Sequence, residues 1–194
     1  MAIVILLHGW SGAGKDAVGG LMNNLWGFKR VAFADELRRI IAKEYDFPIE
    51  WTQTQDGKRQ IVPSAGKTVR ELMIQRGQEI RKEQNDPGFF ARHIASQIIE
   101  EMQVNPTAKF VCTDWRLPIE YSTLESMFVS YNCKLLKVCV RNLRQTESPV
   151  QDTTTEYQLQ KYVFDAILYN DGVSLTALQK ELIQKLHEHI FLQE

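Results

Sequence analysis

The stretch MAIVILLHGWSGAGKDAVG, residues 1–19, decides the fold. Residues 2–8 are an apolar run rich in β-branched side chains, which predicts a parallel strand buried on both faces. Gly9, four intervening residues, Gly14 and Lys15 then follow at the spacing of a phosphate-binding loop. Residues 15–25, KDAVGGLMNNL, predict a helix. Glycines let the chain curl until successive N–H groups face an anion, and the helix adds its positive N-terminus. Lys15 reaches the β- and γ-phosphates as a point charge. The expected ATP contacts here are Gly12, Ala13, Gly14, Lys15, Asp16 and Ala17. The alternative is a glycine-rich turn that merely opens a helix.

Asp16 stands where Ser or Thr usually supplies a hydroxyl to magnesium. A carboxylate repels a triphosphate unless a cation lies between them. Magnesium prefers oxygen ligands and keeps several waters, so Asp16 is a candidate ligand, direct or through water. The competing role is to complement the helix N-terminus. A second Gly-Lys-Thr, in SAGKT (64–68), has Ile61 where the first glycine belongs and no strand before it. It reads as a loop with a helix N-cap at Thr68.

Further along, apolar strand-like runs alternate with amphipathic helical ones. Strands are expected at 28–32, at AKFVCTD (108–114), at KLLKVCV (134–140) and at DAILYN (165–170). Helices are expected from Asp35, as N-cap, to Tyr45; over 68–83; from Asp86-Pro87 to Met102; over 118–128; and from Ser174, as N-cap, to Ile190. Residues 46–66 read as a loop or insert, and the polar residues 142–155 as a lid. The fold class is therefore α/β, a three-layer P-loop NTPase fold with a mostly parallel, doubly wound sheet and a small lid. All of it is expected in a single domain, residues 1–194. Ligands in such sheets bind beyond the carboxyl ends of the strands.

Composition narrows the function. Hydrophobic content of 44%, charged content of 24% and a net charge of −1 are globular values, with no field that favours nucleic acid or membrane. From Lys58 to Lys82, seven basic residues face only Glu71 and Glu79, a local patch suited to a phosphorylated small molecule. Cys112, Cys133 and Cys139 have no CxxC spacing and read as reduced thiols. The first apolar run is too short for a membrane span and lacks a basic leader, so a cytoplasmic protein is expected. No histidine lies at ligand spacing, and no nucleophile–base pair is evident, as suits direct in-line phosphoryl transfer.

Five segments together resemble the deoxynucleoside monophosphate kinases of bacteriophages and large DNA viruses. They are the Gly-Lys-Asp loop, FADELRR (33–39), TVRELMIQRGQEIR (68–81), VCTDWRLPIE (111–120) and DAILYNDGVSLTAL (165–178). Their order and spacing carry the resemblance over nearly the whole chain. Ala17, Gln78 and Leu117 depart from it. The resemblance implies ATP and Mg2+ as cofactors, a deoxynucleoside monophosphate as substrate, and the cytoplasm of a host if the origin is viral. A homodimer is left open.

Site roles follow from both sources. Lys15, Asp16 and the lid candidate Arg144 are the expected catalytic residues. Asp16 and Asp114 are the expected metal ligands, Asp114 because it closes a buried strand. Arg70 and Arg81, three turns apart on one helix face, are expected on the substrate phosphate. Gly77 between them would let a ligand approach. Asp35 is expected either on a substrate hydroxyl or as a cap. By resemblance, Asp114, Trp115 and Arg116 approach the substrate, with Trp115 weighed equally between a base stack and the core. Tyr169, Asn170 and Asp171 border adenine or form a turn, and Asn170 is the ATP contact expected among them. Phosphomevalonate and dephospho-coenzyme A kinases, and a nucleotide-binding protein without turnover, are the rival readings.

Overall fold

The computed structural model describes residues 1–145, 158–159 and 162–192. In chain order the elements are β1 (Ala2–His8), α1 (Lys15–Trp26), β2 (Lys29–Val31), α2 (Ala34–Glu44), β3 (Ile61–Val62), β4 (Lys67–Thr68), α3 (Val69–Glu83), α4 (Phe89–Val104), β5 (Lys109–Cys112), α5 (Pro118–Phe128), β6 (Cys133–Asn142), β7 (Ala166–Asn170) and α6 (Leu175–Phe191). Five strands pair in the order β2-β5-β1-β6-β7, each pair parallel.

β1 is central, and its alternating side chains separate two cores. Val4 and Leu6 pack with residues of α2, α3, α4 and α5. Ile3, Ile5 and Leu7 pack with Val18 and Met22 of α1 and with Leu178, Leu182 and Leu186 of α6. Helices thus cover both faces of the sheet, which is the expected three-layer, doubly wound arrangement. Continuous apolarity in β1 follows from burial on both sides.

Local chemistry sets the helix starts, with two differences from expectation. Thr68 caps α3 as expected: its hydroxyl accepts from Glu71 N at 3.2 Å, and the Glu71 carboxylate accepts from Thr68 N at 2.8 Å. Gly66, with φ 63°, turns the β3–β4 hairpin, so SAGKT is a turn and a cap. Asp35, by contrast, lies inside the first turn of α2. That helix is capped by Asp114, whose two carboxylate oxygens accept from Phe33 N at 2.9 Å and Ala34 N at 3.0 Å. Asp86 likewise precedes its helix by a turn, accepting from Gly88 N at 2.9 Å, and α4 starts at Phe89.

The segment expected as an insert holds two 3-10 turns, Ile49–Thr52 and Gly57–Arg59, followed by the β3–β4 hairpin. Most of the expected lid at 142–155 lies outside the described residues. No described helix is long and apolar enough to cross a membrane.

Candidate active site

The loop between β1 and α1 is built around left-handed glycines. Gly14 has φ 102°, and a Cβ there would stand 2.3 Å from Asn170 Nδ2. Gly9 has φ 152°, and its Cβ would meet Val140 O at 2.3 Å. Both positions therefore need glycine twice over, for conformation and for space. Asn170, at the end of β7, donates from Nδ2 to Ala13 O at 3.0 Å and accepts from Gly172 N at 3.0 Å. Gln145 Nε2 donates to Ser11 O at 2.9 Å. The loop is thus held from the β6–β7 side by two amides.

Lys15 is folded over this loop, its ammonium donating to Gly9 O at 2.5 Å and Trp10 O at 2.9 Å. A phosphate cradled by the loop would compete for the same ammonium. The curled backbone, the start of α1 and Lys15 together fit an ATP phosphate chain. Ala13 is buried, while Gly12, Asp16 and Ala17 are exposed.

Two pockets flank the loop on opposite sides of β1. The first has a volume of about 640 Å³ and is walled by Asp16, Arg30, Asp35, Arg38 and Lys58, with Arg39, Ile49 and Gln53 around them. This is the size of a small-molecule site. Asp35 bridges two of its cations: one oxygen pairs with Arg38 and the other with Arg30 at 3.1 Å. Arg38 Nε is buried and has no hydrogen-bond partner among the described residues. Burial and the neighbouring Arg38, Arg70 and Arg116 push the Lys58 ammonium down to about 8, with Asp16 partly opposing them. The second pocket, about 500 Å³, lies between the loop and the ends of β6 and β7, with Gly9, Trp10, Arg141, Asn142 and Tyr169 in its wall.

The expected residues divide between these surroundings. Asp16, Asp35, Arg70 and Arg116 gather at or beside the first pocket, Arg70 also donating to Gln55 Oε1 at 2.7 Å. Arg81 is directed elsewhere. It lies over the Phe90 ring at 4.9 Å and donates to Gly77 O at 3.3 Å. Because α3 is continuous through Gly77, the two arginines stay about 16 Å apart along it. Gly77 admits Leu37 of α2 at 3.1 Å from its would-be Cβ, so the close approach is helix packing rather than ligand contact.

Trp115 corrects the base-stacking alternative. It is 0% exposed, donates from Nε1 to Leu117 O at 3.0 Å, and meets His8, Tyr121, Tyr162 and Phe164 edge-on or tilted. A base has no face of it to stack on. Asp114 is also largely committed, its oxygens satisfying the N-terminus of α2 and accepting from Cys112 Sγ at 3.3 Å. Asp16 lines the first pocket, and no group of three or more metal-ligating side chains gathers among the described residues. Arg144 is exposed near Asp171, beside the turn after β7.

Four participants were given no individual role by the sequence: Lys58, Arg30 and Arg38 in the pocket wall, and Gln145 under the loop. The excess of basic residues from Lys58 onward was the only signal for any of them. Glu120 is a fifth. It is 5% exposed and accepts from Arg116 N and Leu117 N, both at 2.9 Å. It holds the turn that carries Arg116.

A scan against models of protein families finds no match, and a search of curated protein sequences finds no relative. Solved structures are similar in fold. The APS kinase CysC of Mycobacterium tuberculosis, in complex with AMPPNP and APS, superposes with a TM-score of 0.50 at 12% identity, over 96% of this chain and 98% of that one. TT1252 from Thermus thermophilus gives a TM-score of 0.50 at 14% identity, over 100% of this chain and 99% of that one. At such identities the likeness is one of fold, and the chain shares the α/β fold, with its mostly parallel sheet, of these two proteins.

Proposed function

We propose that this protein is an ATP-dependent kinase that transfers the γ-phosphoryl group of ATP to a (deoxy)nucleoside monophosphate. The observation that carries the reading is a phosphate-type loop flanked by two pockets, one of them walled by Arg30, Arg38 and Lys58. The cations of its wall outnumber its two carboxylates, Asp16 and Asp35, which favours an anionic acceptor. The APS kinase that shares the fold was solved with AMPPNP, which supports a nucleotide on the loop.

In this reading ATP lies along the loop with its nucleoside towards the second pocket, and the acceptor's phosphate enters the first. An oxygen of that phosphate attacks the γ-phosphorus. The bond from the γ-phosphorus to the β–γ bridging oxygen breaks, and its electron pair leaves with ADP. A phosphate monoester has a second pKa of about 6, so its attacking oxygen is already deprotonated at neutral pH. It needs no general base. That suits Asp35, whose two oxygens are both engaged by arginines. Magnesium, held by Asp16, would neutralise charge on the transferring phosphate. Lys15 and the pocket arginines orient the phosphates and balance the charge that spreads in the transition state.

ADP release measured with ATP and each nucleoside monophosphate tests the assignment, with phosphomevalonate and dephospho-coenzyme A as parallel acceptors. Turnover confined to either of those two would keep the kinase and replace the substrate.

A further inference from the structure

The turn at Gly57–Arg59 reaches the first pocket from outside the sheet. Ile49, Gln53 and Lys58 of this segment line the pocket together with Asp16 and Arg38. A polar stretch of sequence thereby becomes part of the site.

Its backbone is fixed. Gly57 is buried, and a Cβ there would meet Trp51 O at 2.5 Å and Trp51 Cα at 2.6 Å. Gly57 N donates to Thr54 Oγ1 at 2.9 Å, and Lys58 N to Thr54 O at 3.0 Å. Trp51 stacks on Phe47 at 6.0 Å, and Val69 N donates to Gln60 O at 3.0 Å, tying the segment to α3. Lys58 is therefore presented from a rigid turn.

Among the described residues, no hydrogen bond or ion pair is made by its ammonium. The cations facing it come from three directions: Arg38 of α2, Arg70 of α3 and Arg116 beyond β5. Asp16 of α1 is the acid that favours its charge. The other nearby carboxylates are taken, Asp35 by Arg30 and Arg38, and Asp56 by Arg59. A half-buried ammonium among three guanidinium groups weakens the fold unless an anion joins it. A lysine kept only as a solvated surface charge would point away from such a cluster.

We propose that Lys58 is a specificity-determining cation that grips the acceptor's phosphate in this pocket, together with Arg38. The assignment rests on the kinase reading above and deepens it. A dianion entering the pocket opposes the burial and the guanidinium groups that lower the ammonium to about 8, since an opposite charge favours the charged form. Acceptor binding thus draws a proton onto Lys58. Below about pH 8 the ammonium is present and the acceptor binds. Above it, a neutral amine faces the phosphate and affinity falls.

The test compares the full chain with Lys58→Met and Lys58→Arg, using ATP and the four deoxynucleoside monophosphates in steady-state kinetics and calorimetric titration. Lys58→Met is expected to raise the monophosphate KM by about tenfold to a hundredfold, as loss of a charged hydrogen bond does. The KM for ATP should stay within about twofold, the natural scatter of uncoupled contacts. The ligand-free variant should melt at a higher temperature than the wild type, because an uncompensated charge is gone. Lys58→Arg should restore the KM and abolish its rise above pH 8, since a guanidinium does not titrate there. An unchanged monophosphate KM in Lys58→Met, with wild-type turnover intact, overturns the assignment while the kinase reading stands. A pH limb that persists in Lys58→Arg overturns it too. Turnover of no nucleoside monophosphate by the wild type overturns the nucleoside monophosphate reading of the acceptor and this assignment with it.

Discussion

Asn170 Nδ2 lies 3.0 Å from Ala13 O, so the end of the last strand holds the loop that follows the first. The sequence offered Asn170 as a neighbour of adenine or part of a turn. Its side chain forms that turn, accepting through Oδ1 from Gly172 N, and also braces the loop backbone.

Asn170→Ala should therefore act on the loop. Removing a buried amide that satisfies backbone groups costs about 1–3 kcal/mol, read by urea denaturation. Nucleotide affinity should fall with stability, while acceptor affinity changes little. Gly14→Ala should be worse for nucleotide, since the new methyl would drive into this same amide.

Trp115 separates a core residue from a substrate contact. Trp115→Ala is expected to cost about 3–5 kcal/mol of stability in thermal or chemical unfolding. Trp115→Phe should recover most of that and leave the acceptor KM close to wild type. A KM change in Trp115→Phe without loss of stability would return the residue to the substrate side.

Glu120 gives the pH dependence of stability. Burial lifts its carboxyl to about 7, against the N–H groups of Arg116 and Leu117, which lower it; Asp114 raises it and Arg81 lowers it. A raised carboxylate pKa means that the folded protein keeps a proton which the unfolded chain has released. Stability should then fall as pH rises from about 4.5 to about 7, by up to about 3 kcal/mol from this group. Glu120→Gln should flatten that slope in urea titrations at several pH values.

Asp16 distinguishes a metal ligand from a helix cap. Asp16→Ala should reduce magnesium-dependent kcat by about a hundredfold or more while ATP binding measured without magnesium changes little. Intact turnover would leave Asp16 as a complement to the helix N-terminus alone.

The sheet and the loop were legible because their signals are local. An apolar run followed by Gly9, Gly14 and Lys15 specifies a strand, a curled loop and a helix within twenty residues. Thr68 and Glu71 likewise announce the start of α3 within four residues. The misreadings all concern partners distant in sequence. Asp35 looked like the cap of α2, but the cap comes from Asp114, some eighty residues away. Trp115 had the chemistry of a base platform, and only tertiary packing puts Tyr162 and Phe164 around it. Lys58 sits in a segment without periodicity, and nothing local says that its turn folds back towards Asp16.

The central claim is transfer of a phosphoryl group from ATP to a nucleoside monophosphate. Mass spectrometry of a reaction with ATP, magnesium and each deoxynucleoside monophosphate tests it most directly. The account predicts ADP and one or more deoxynucleoside diphosphates in equal amounts, lost in Lys15→Ala. ATP bound to the protein with no diphosphate formed from any monophosphate would contradict it.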